Sequence, residues 1–257
     1  MDLSKTIVLF DVDGTLTKSR LSVTEEMDSL LGELKKKVKV GLVGGSDLGK
    51  IAEQMSPKAL DAEQAIYEVV NKYDYVFSEN GLIAYEAGKL VGKKSMLGVI
   101  GEEKCQRFIN FCLRYLGGIE IPVKRGNFIE FRTGMINVCP IGRTCSQEER
   151  LQFAAYDEQY KVRETMVSAL KAEFGSEFGL QYSLGGQISI DCFPVGWDKT
   201  FCLQYVEAKF DRIYFFGDRT FPGGNDYELF ADPRTIGHSV TSPEHTQQLL
   251  QELFFSS

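Results

Sequence analysis

The sequence predicts an α/β protein: a doubly wound core on a mainly parallel sheet, interrupted by an inserted α+β domain with an antiparallel sheet. Three observations carry that prediction. Short apolar runs alternate with amphipathic helical stretches through about the first third of the chain, and again after Trp197. Between them the punctuation changes to paired strand-like runs around E-A-G, T-G and G-G, which signal hairpins. The chain has 257 residues, enough for two domains of ordinary size. A chain this long closes a core without a disulfide or metal staple. The expected division places the core at 1–85 and 189–257 and the insert at 86–188.

The elements follow in order. Residues 6–10 are an apolar run that reads as a strand, with D-V-D-G-T directly after it. S-V-T-E at 22–25 has capping-box spacing, and Met27, Leu30, Leu31, Leu34 and Val38 recur at helical spacing. Residues 38–43 are a second strand, ended by G-G-S-D. Helices are expected at 48–55 and, beyond Pro57, at 62–71, and a third strand at 75–77. This β-α-β-α-β order favours parallel strands with helices on both faces. In the middle third, 82–85 and 89–91 form a hairpin and 102–116 a helix. Two further strand pairs, 128–132 with 136–139 and 181–184 with 187–193, bracket a mostly helical stretch at 147–174. The α/β order then returns: helix 198–208, strand 213–216, short helix 225–230, strand 236–240, and helix 243–255 with Pro243 in its first turn.

Composition excludes several classes. Hydrophobic residues at 43% and charged residues at 25% are ordinary for a globular chain and wrong for a disordered one. A net charge of −7 disfavours nucleic acid and anionic bilayers as partners. No apolar run approaches the ~20 residues that span a bilayer, and the start shows neither a signal peptide nor an arginine-rich transit pattern. The six cysteines form no C-x-x-C pair and there are only two histidines, so a zinc site is not expected. Buried free thiols in a reducing cytosol are.

Four positions concentrate chemistry. Asp11 and Asp13 follow the first strand, and ligands of parallel sheets bind at strand carboxyl ends. One carboxylate can attack phosphorus and bind a hard cation; the other can move a proton. A polar turn would read the same way. Ser46 follows the second strand, placed to cap a helix, to donate to a phosphoryl oxygen, or to do both. Lys199 in G-W-D-K opens an expected helix, where anions are favoured and surface lysines are common. Asp218 ends the strand in F-F-G-D, the place for a magnesium ligand. In the insert, Arg125, Arg132, Arg143 and Arg150 cluster in an acidic chain, and guanidinium groups grip phosphate. Period-two alternation puts Phe128, Glu130 and Arg132 on one strand face, and Gln187, Ser189 and Asp191 on another, with Ile188 and Ile190 inward. Solvated faces with surface ion pairs are the plainer alternative for each.

Acid, hydroxyl, lysine and acid in this order resemble the four motifs of haloacid dehalogenase phosphotransferases. The strings F-I-E-F-R, G-M-I-N-V-C-P-I-G-R, C-S-Q-E-E-R, G-G-Q-I-S-I-D-C-F-P-V-G-W-D-K and Y-F-F-G-D-R-T-F-P-G-G-N-D-Y-E-L-F-A-D-P-R-T further resemble the eukaryotic phosphomannomutase family over nearly the whole chain. The resemblance implies Asp11 as nucleophile, Asp13 as general acid/base, and Ser46 and Lys199 as groups holding the transferring phosphoryl. It implies substrate contacts from Arg20, Arg132, Arg143, Arg150, Ser189 and Asp191, with Arg125 left out. It implies Mg²⁺ at Asp11, Asp13 and Asp218, and a second cation near Phe230 (through its carbonyl), Asp232 and Thr235. A hexose 1,6-bisphosphate activator, a cytoplasmic homodimer pairing through the insert, and a supply of sugar for GDP-mannose complete what it implies. Residues 56–66 look longer than the family's usual connection, and Val195 stands where a polar residue is frequent.

The expected activity is the interconversion of mannose 6-phosphate and mannose 1-phosphate. A sugar-phosphate phosphatase would use the same four motifs, with water in place of the sugar hydroxyl. A non-catalytic sugar-phosphate sensor would not need both Asp11 and Asp13.

Overall fold

A computed structural model describes residues 3–18, 21–56 and 58–256. The chain divides into two compact units: Met1–Lys93 with Gly196–Ser257, and Lys94–Val195.

Unit 1 starts with β1 (Thr6–Phe10), α1 (Glu25–Leu34), β2 (Lys39–Val43), α2 (Leu48–Met55), α3 (Ala62–Lys72), β3 (Tyr75–Ser78), β4 (Ile83–Glu86) and β5 (Lys89–Lys93). Thr24 caps α1 by accepting from Met27 N, and Asp61 caps α3 by accepting from Gln64 N. Unit 2 holds α4 (Met96–Ile100), α5 (Glu102–Gly118), β6 (Ile129–Phe131), β7 (Ile136–Val138), α6 (Gln147–Tyr160), α7 (Val162–Phe174), β8 (Leu180–Gly185) and β9 (Ser189–Pro194). The chain completes unit 1 with a 3₁₀ segment, Lys199–Tyr205, then β10 (Arg212–Gly217), α8 (Tyr227–Ala231), β11 (Ile236–Ser239) and α9 (Pro243–Leu250).

The sheet of unit 1 has seven strands in the order β11-β10-β1-β2-β3-β4-β5. β11, β10, β1, β2 and β3 are parallel, while β4 and β5 are added antiparallel. β1 is buried along its whole length because it is central and covered on both faces. Val8 and Phe10 join the cluster with α1, α2, α3 and α9, and Ile7 and Leu9 face the cluster with Cys202, Leu203 and Leu229. That double cover places the carboxyl ends of β1, β2 and β10 side by side. Unit 2 has an antiparallel sheet in the order β6-β7-β9-β8. Phe108 of α5 packs against Phe174 of α7 and Tyr182 of β8 beside it.

Several expectations shift. The insert runs from 94 to 195, not from 86 to 188. The first hairpin pairs with β3 and so extends the core sheet, while β9 pairs with β7 and β8 and so leaves the core. Strand membership is set by the partner, which neither run carries in its own sequence. The expected helix at 198–208 is the 3₁₀ segment, closed by i→i+3 bonds such as Phe201 N to Asp198 O. Thr200, Phe201 and Tyr205 belong to the β-branched and aromatic types that lose rotamer freedom in an α-helix. The helical stretch at 147–174 breaks at Lys161, whose φ is 54°.

Candidate active site

Asp11 follows β1 directly, with its backbone N–H bonded to Phe216 O of β10 at 2.9 Å. Its carboxylate therefore sits between two parallel strand ends. Lys199 lies beneath it, 1% exposed, and its Nζ pairs with Asp11 and with Asp226. Lys199 is thus a buried cation with two anionic partners, not the surface lysine its sequence context also allowed. Asp226 is fully buried; its Oδ1 is 2.5 Å from Lys199 Nζ and its Oδ2 accepts from Arg219 N at 2.9 Å. Carboxylate oxygens of Asp11, Asp218 and Asp226 all lie within 4.8 Å of one another. Gly14, at φ +84°, lets the turn after β1 close over Asp218, since an added Cβ there would lie 2.4 Å from Asp218 Oδ2.

The electrostatics follow from burial. Desolvation raises the Asp11 carboxyl to about 7; the charges of Asp226 and Asp218 add to this, and Lys199 opposes it. Asp218 is raised by burial first and by Asp226 next. For Lys199, burial alone would lower the pKa, but Asp11 and Asp226 together raise it, so it stays charged. Three carboxylates, two of them paired with one lysine and the third, Asp218, half-buried, leave excess negative charge at the strand ends. Hard oxygen donors around such an excess fit a hard divalent cation such as Mg²⁺.

Asp13 bonds to a different element. Its carboxylate is not in that three-acid group, and its Oδ1 accepts from Gln54 Nε2 at 2.7 Å. Ser46 stands at the end of β2, half-buried; Asp47 is the residue that caps α2, by accepting from Lys50 N. The Ser46 hydroxyl is therefore not used as the cap. Asp226 was missed from the sequence. Its signal was the one carboxylate in F-P-G-G-N-D-Y, shortly after Asp218.

Unit 2 carries a polar row that the strand register builds. Glu130 of β6 is opposite Asn137 of β7, which is opposite Asp191 of β9. Asn137, 3% exposed, donates to Asp191 Oδ1 at 2.6 Å and accepts from Arg143 Nη1 at 3.0 Å. Arg143 Nε is 2.6 Å from Glu130 Oε2, and Arg132 Nη2 is 3.1 Å from the same oxygen. The Arg132 hydrogen bond leads the effects that lower the Glu130 carboxyl below its usual range. Gly185 leaves room for this row, since a Cβ there would lie 2.5 Å from Asp191 Oδ2. Arg132, Arg143 and Asp191 are thus brought together, with Glu130 and Asn137 as members that sequence reasoning did not assign. Ser189 is buried. Arg150 is half-buried in the first turn of α6, with no ion pair among the described residues. Arg125 pairs with Glu149. Arg20 lies outside the described residues. Phe230 lies in α8, and Asp232 and Thr235 in the segment before β11, where Asp232 holds Arg234 at 2.7 Å and Thr235 Oγ1 donates to Leu229 O at 2.6 Å. The six cysteines are free, and all but Cys145 are buried.

The fold and the acid–lysine cluster define the class. A haloacid dehalogenase-like hydrolase from Bacteroides thetaiotaomicron superposes with a TM-score of 0.59 at 12% identity, over 97% of this chain and 99% of that chain. The fold is that of the haloacid dehalogenase superfamily. Sequence likeness then narrows it. The family model for eukaryotic phosphomannomutase matches residues 27–256. Phosphomannomutase of Spinacia oleracea is 57% identical over 97% of this chain and 96% of its own length. That of Schizosaccharomyces pombe is 54% identical over 97% of this chain and 95% of its own. The chain belongs to the eukaryotic phosphomannomutase family, and with it goes enzymatic, isomerase function on sugar phosphates. No helix of the described residues is long and apolar enough to cross a membrane.

Proposed function

We propose that the enzyme interconverts mannose 6-phosphate and mannose 1-phosphate by passing a phosphoryl group through Asp11. The observation that carries this reading is Asp11 at the end of β1, in contact with buried Lys199 and beside Asp218 and Asp226. In the proposed cycle, phosphorylated Asp11 gives its phosphoryl to the free sugar hydroxyl, whose proton passes to Asp13. The resulting hexose 1,6-bisphosphate reverses. Asp11 then takes the other phosphoryl, and Asp13 returns the proton to the departing sugar oxygen. A catalytic amount of hexose 1,6-bisphosphate starts the cycle by phosphorylating Asp11.

Asp11, Asp218 and Asp226 would hold Mg²⁺, with Asp13 as the further ligand the resemblance implies, and the ion would supply charge neutralisation at the reacting phosphoryl. Lys199 and Ser46 hold the transferring phosphoryl oxygens. Arg132, Arg143 and Arg150, with Arg20, bind the phosphate that is not reacting, and Ser189 and Asp191 contact the sugar. A second cation at the Phe230 carbonyl, Asp232 and Thr235 would share Asp232 with Arg234. Unit 2 forms a homodimer interface in this reading, supported by a mainly apolar hollow lined by Pro122, Val123, Ile141, Phe153 and Tyr156 with Glu149 and Gln152. The net charge of −7 and the cysteines' free state fit a cytoplasmic enzyme feeding GDP-mannose synthesis.

The test is a paired product assay. Protein is given mannose 1-phosphate, Mg²⁺ and a trace of glucose 1,6-bisphosphate, and mannose 6-phosphate and free phosphate are followed together. Mannose 6-phosphate without matching phosphate release is expected. Free phosphate as the main product would replace the mutase reading with a phosphatase one.

A further inference from the structure

α2 ends in a buried amide that does not serve the hydrophobic core. Ile51, Ala52 and Met55 on this helix are buried in the core, as their types dictate. Gln54 is also buried, at 5% exposure, and burying an amide is costly unless its N–H groups find acceptors. Its Nε2 finds three: Asp13 Oδ1 at 2.7 Å, Thr17 Oγ1 at 3.3 Å and Leu21 O at 3.4 Å. The shortest bond goes to the one acceptor that can carry a charge, where a hydrogen bond is strongest. The main chain is tied at the same place, since Val23 N donates to Gln54 O at 2.8 Å. Gln54 therefore joins three things: the end of α2, the segment that leads away from the D-V-D-G-T turn, and the carboxylate of Asp13.

We infer that Gln54 is a positioning residue, whose side-chain amide fixes the Asp13 carboxylate in the orientation from which it exchanges a proton with the sugar oxygen. This rests on Asp13 as the general acid/base of the proposed cycle. Asp13 is half-buried and stands on a turn built around Gly14. Asp11 is locked by Lys199 from below; Gln54 gives Asp13 an anchor from the side. Misplacing a proton-transfer group by about 1 Å costs on the order of a hundredfold in rate. The effect should appear only where a proton must move with the phosphoryl.

The experiment compares Gln54→Met, which keeps the shape and removes the donor, with Gln54→Glu, which keeps the length and replaces the donor with an acceptor. For mannose 1-phosphate we expect kcat to fall about 10- to 100-fold in both, with KM within about threefold of wild type. With p-nitrophenyl phosphate, whose leaving group departs without a proton, labelling of Asp11 should lose at least about tenfold less. Thermal unfolding of both variants is recorded alongside. A kcat within twofold of wild type would overturn the inference. So would an equal loss with both phosphates, or a loss that appears in KM alone, since Gln54 would then only support the local fold. Wild-type protein runs in parallel. If it makes no mannose 6-phosphate, the functional reading itself fails. If it does and the variants match it, only the role of Gln54 fails.

Discussion

The two units place their polar groups in opposite ways. In unit 1 the charged groups are sealed: Lys199 is 1% exposed, Asp226 fully buried and Asp11 5% exposed. In unit 2 the side chains of Arg132, Arg143 and Glu130 are each about one-third exposed, at 36%, 33% and 34%. A buried triad is strong and unforgiving, because each charge depends on its partner in a low dielectric. A partly exposed arginine pair already held on a carboxylate can exchange that anion for another at modest cost. The first arrangement suits bond making at one fixed point. The second suits holding a ligand that must come, turn and leave.

This contrast can be broken most severely at Asp11. Asp11→Asn removes the proposed nucleophile and should lower conversion at least about ten-thousandfold, or ~5.5 kcal/mol of barrier, with no acid-stable phosphoenzyme. Labelled phosphoenzyme in that variant would refute the assignment. Lys199→Met tests the sealed character itself. Leaving Asp11 and Asp226 without their cation should cost about 3–5 kcal/mol of stability in denaturant titration, besides activity. A stability loss under ~1 kcal/mol would mean that water or another group satisfies the acids.

The arginine site should respond differently. Arg143→Ala should raise KM about 10- to 100-fold, change kcat less, and leave unfolding nearly unchanged. An unaltered KM, or sugar-phosphate affinity equal to wild type by calorimetry, would remove Arg143 from the substrate. Asn137→Ala should show a weaker version of the same signature, worth about 1 kcal/mol in affinity, because it only aligns Arg143 with Asp191.

The smallest effect lies on the outer hairpin of unit 1. Hydrogen bonds from Lys209 and Tyr75 hold the Glu86 carboxyl below its ordinary range. A depressed folded pKa gives stability that is full above the unfolded value, about 4.3, and lost as pH falls through the folded value. Glu86 is partly exposed, so the contribution is under ~1 kcal/mol. Glu86→Gln should lower the urea midpoint slightly at pH 7 and by less at pH 3. An equal shift at both pH values would show that charge is not the cause.

Much of unit 1 was legible because its signals are local. An apolar run followed by D-V-D-G-T announces a strand end whatever surrounds it, and β1, β2 and β10 stand where their sequences put them. Non-local membership was not legible. β5 and β9 changed sides of the expected boundary because hydrogen-bond partners distant in the chain claim them. Gln54 and Asp226 escaped for the same reason: a glutamine late in a helix and an acid in a glycine-rich loop gain meaning only from what faces them.

The sequence by itself determined the class of fold, the family, and the residue types available for phosphoryl transfer, since periodicity and motif spacing are properties of the chain. Tertiary structure alone decided that Lys199 is buried between two acids, that Asp226 joins Asp11 and Asp218, and that Asp13 is turned towards Gln54. Burial sets the dielectric, and the dielectric sets how much each charge depends on its neighbour. Neither is defined until distant segments pack.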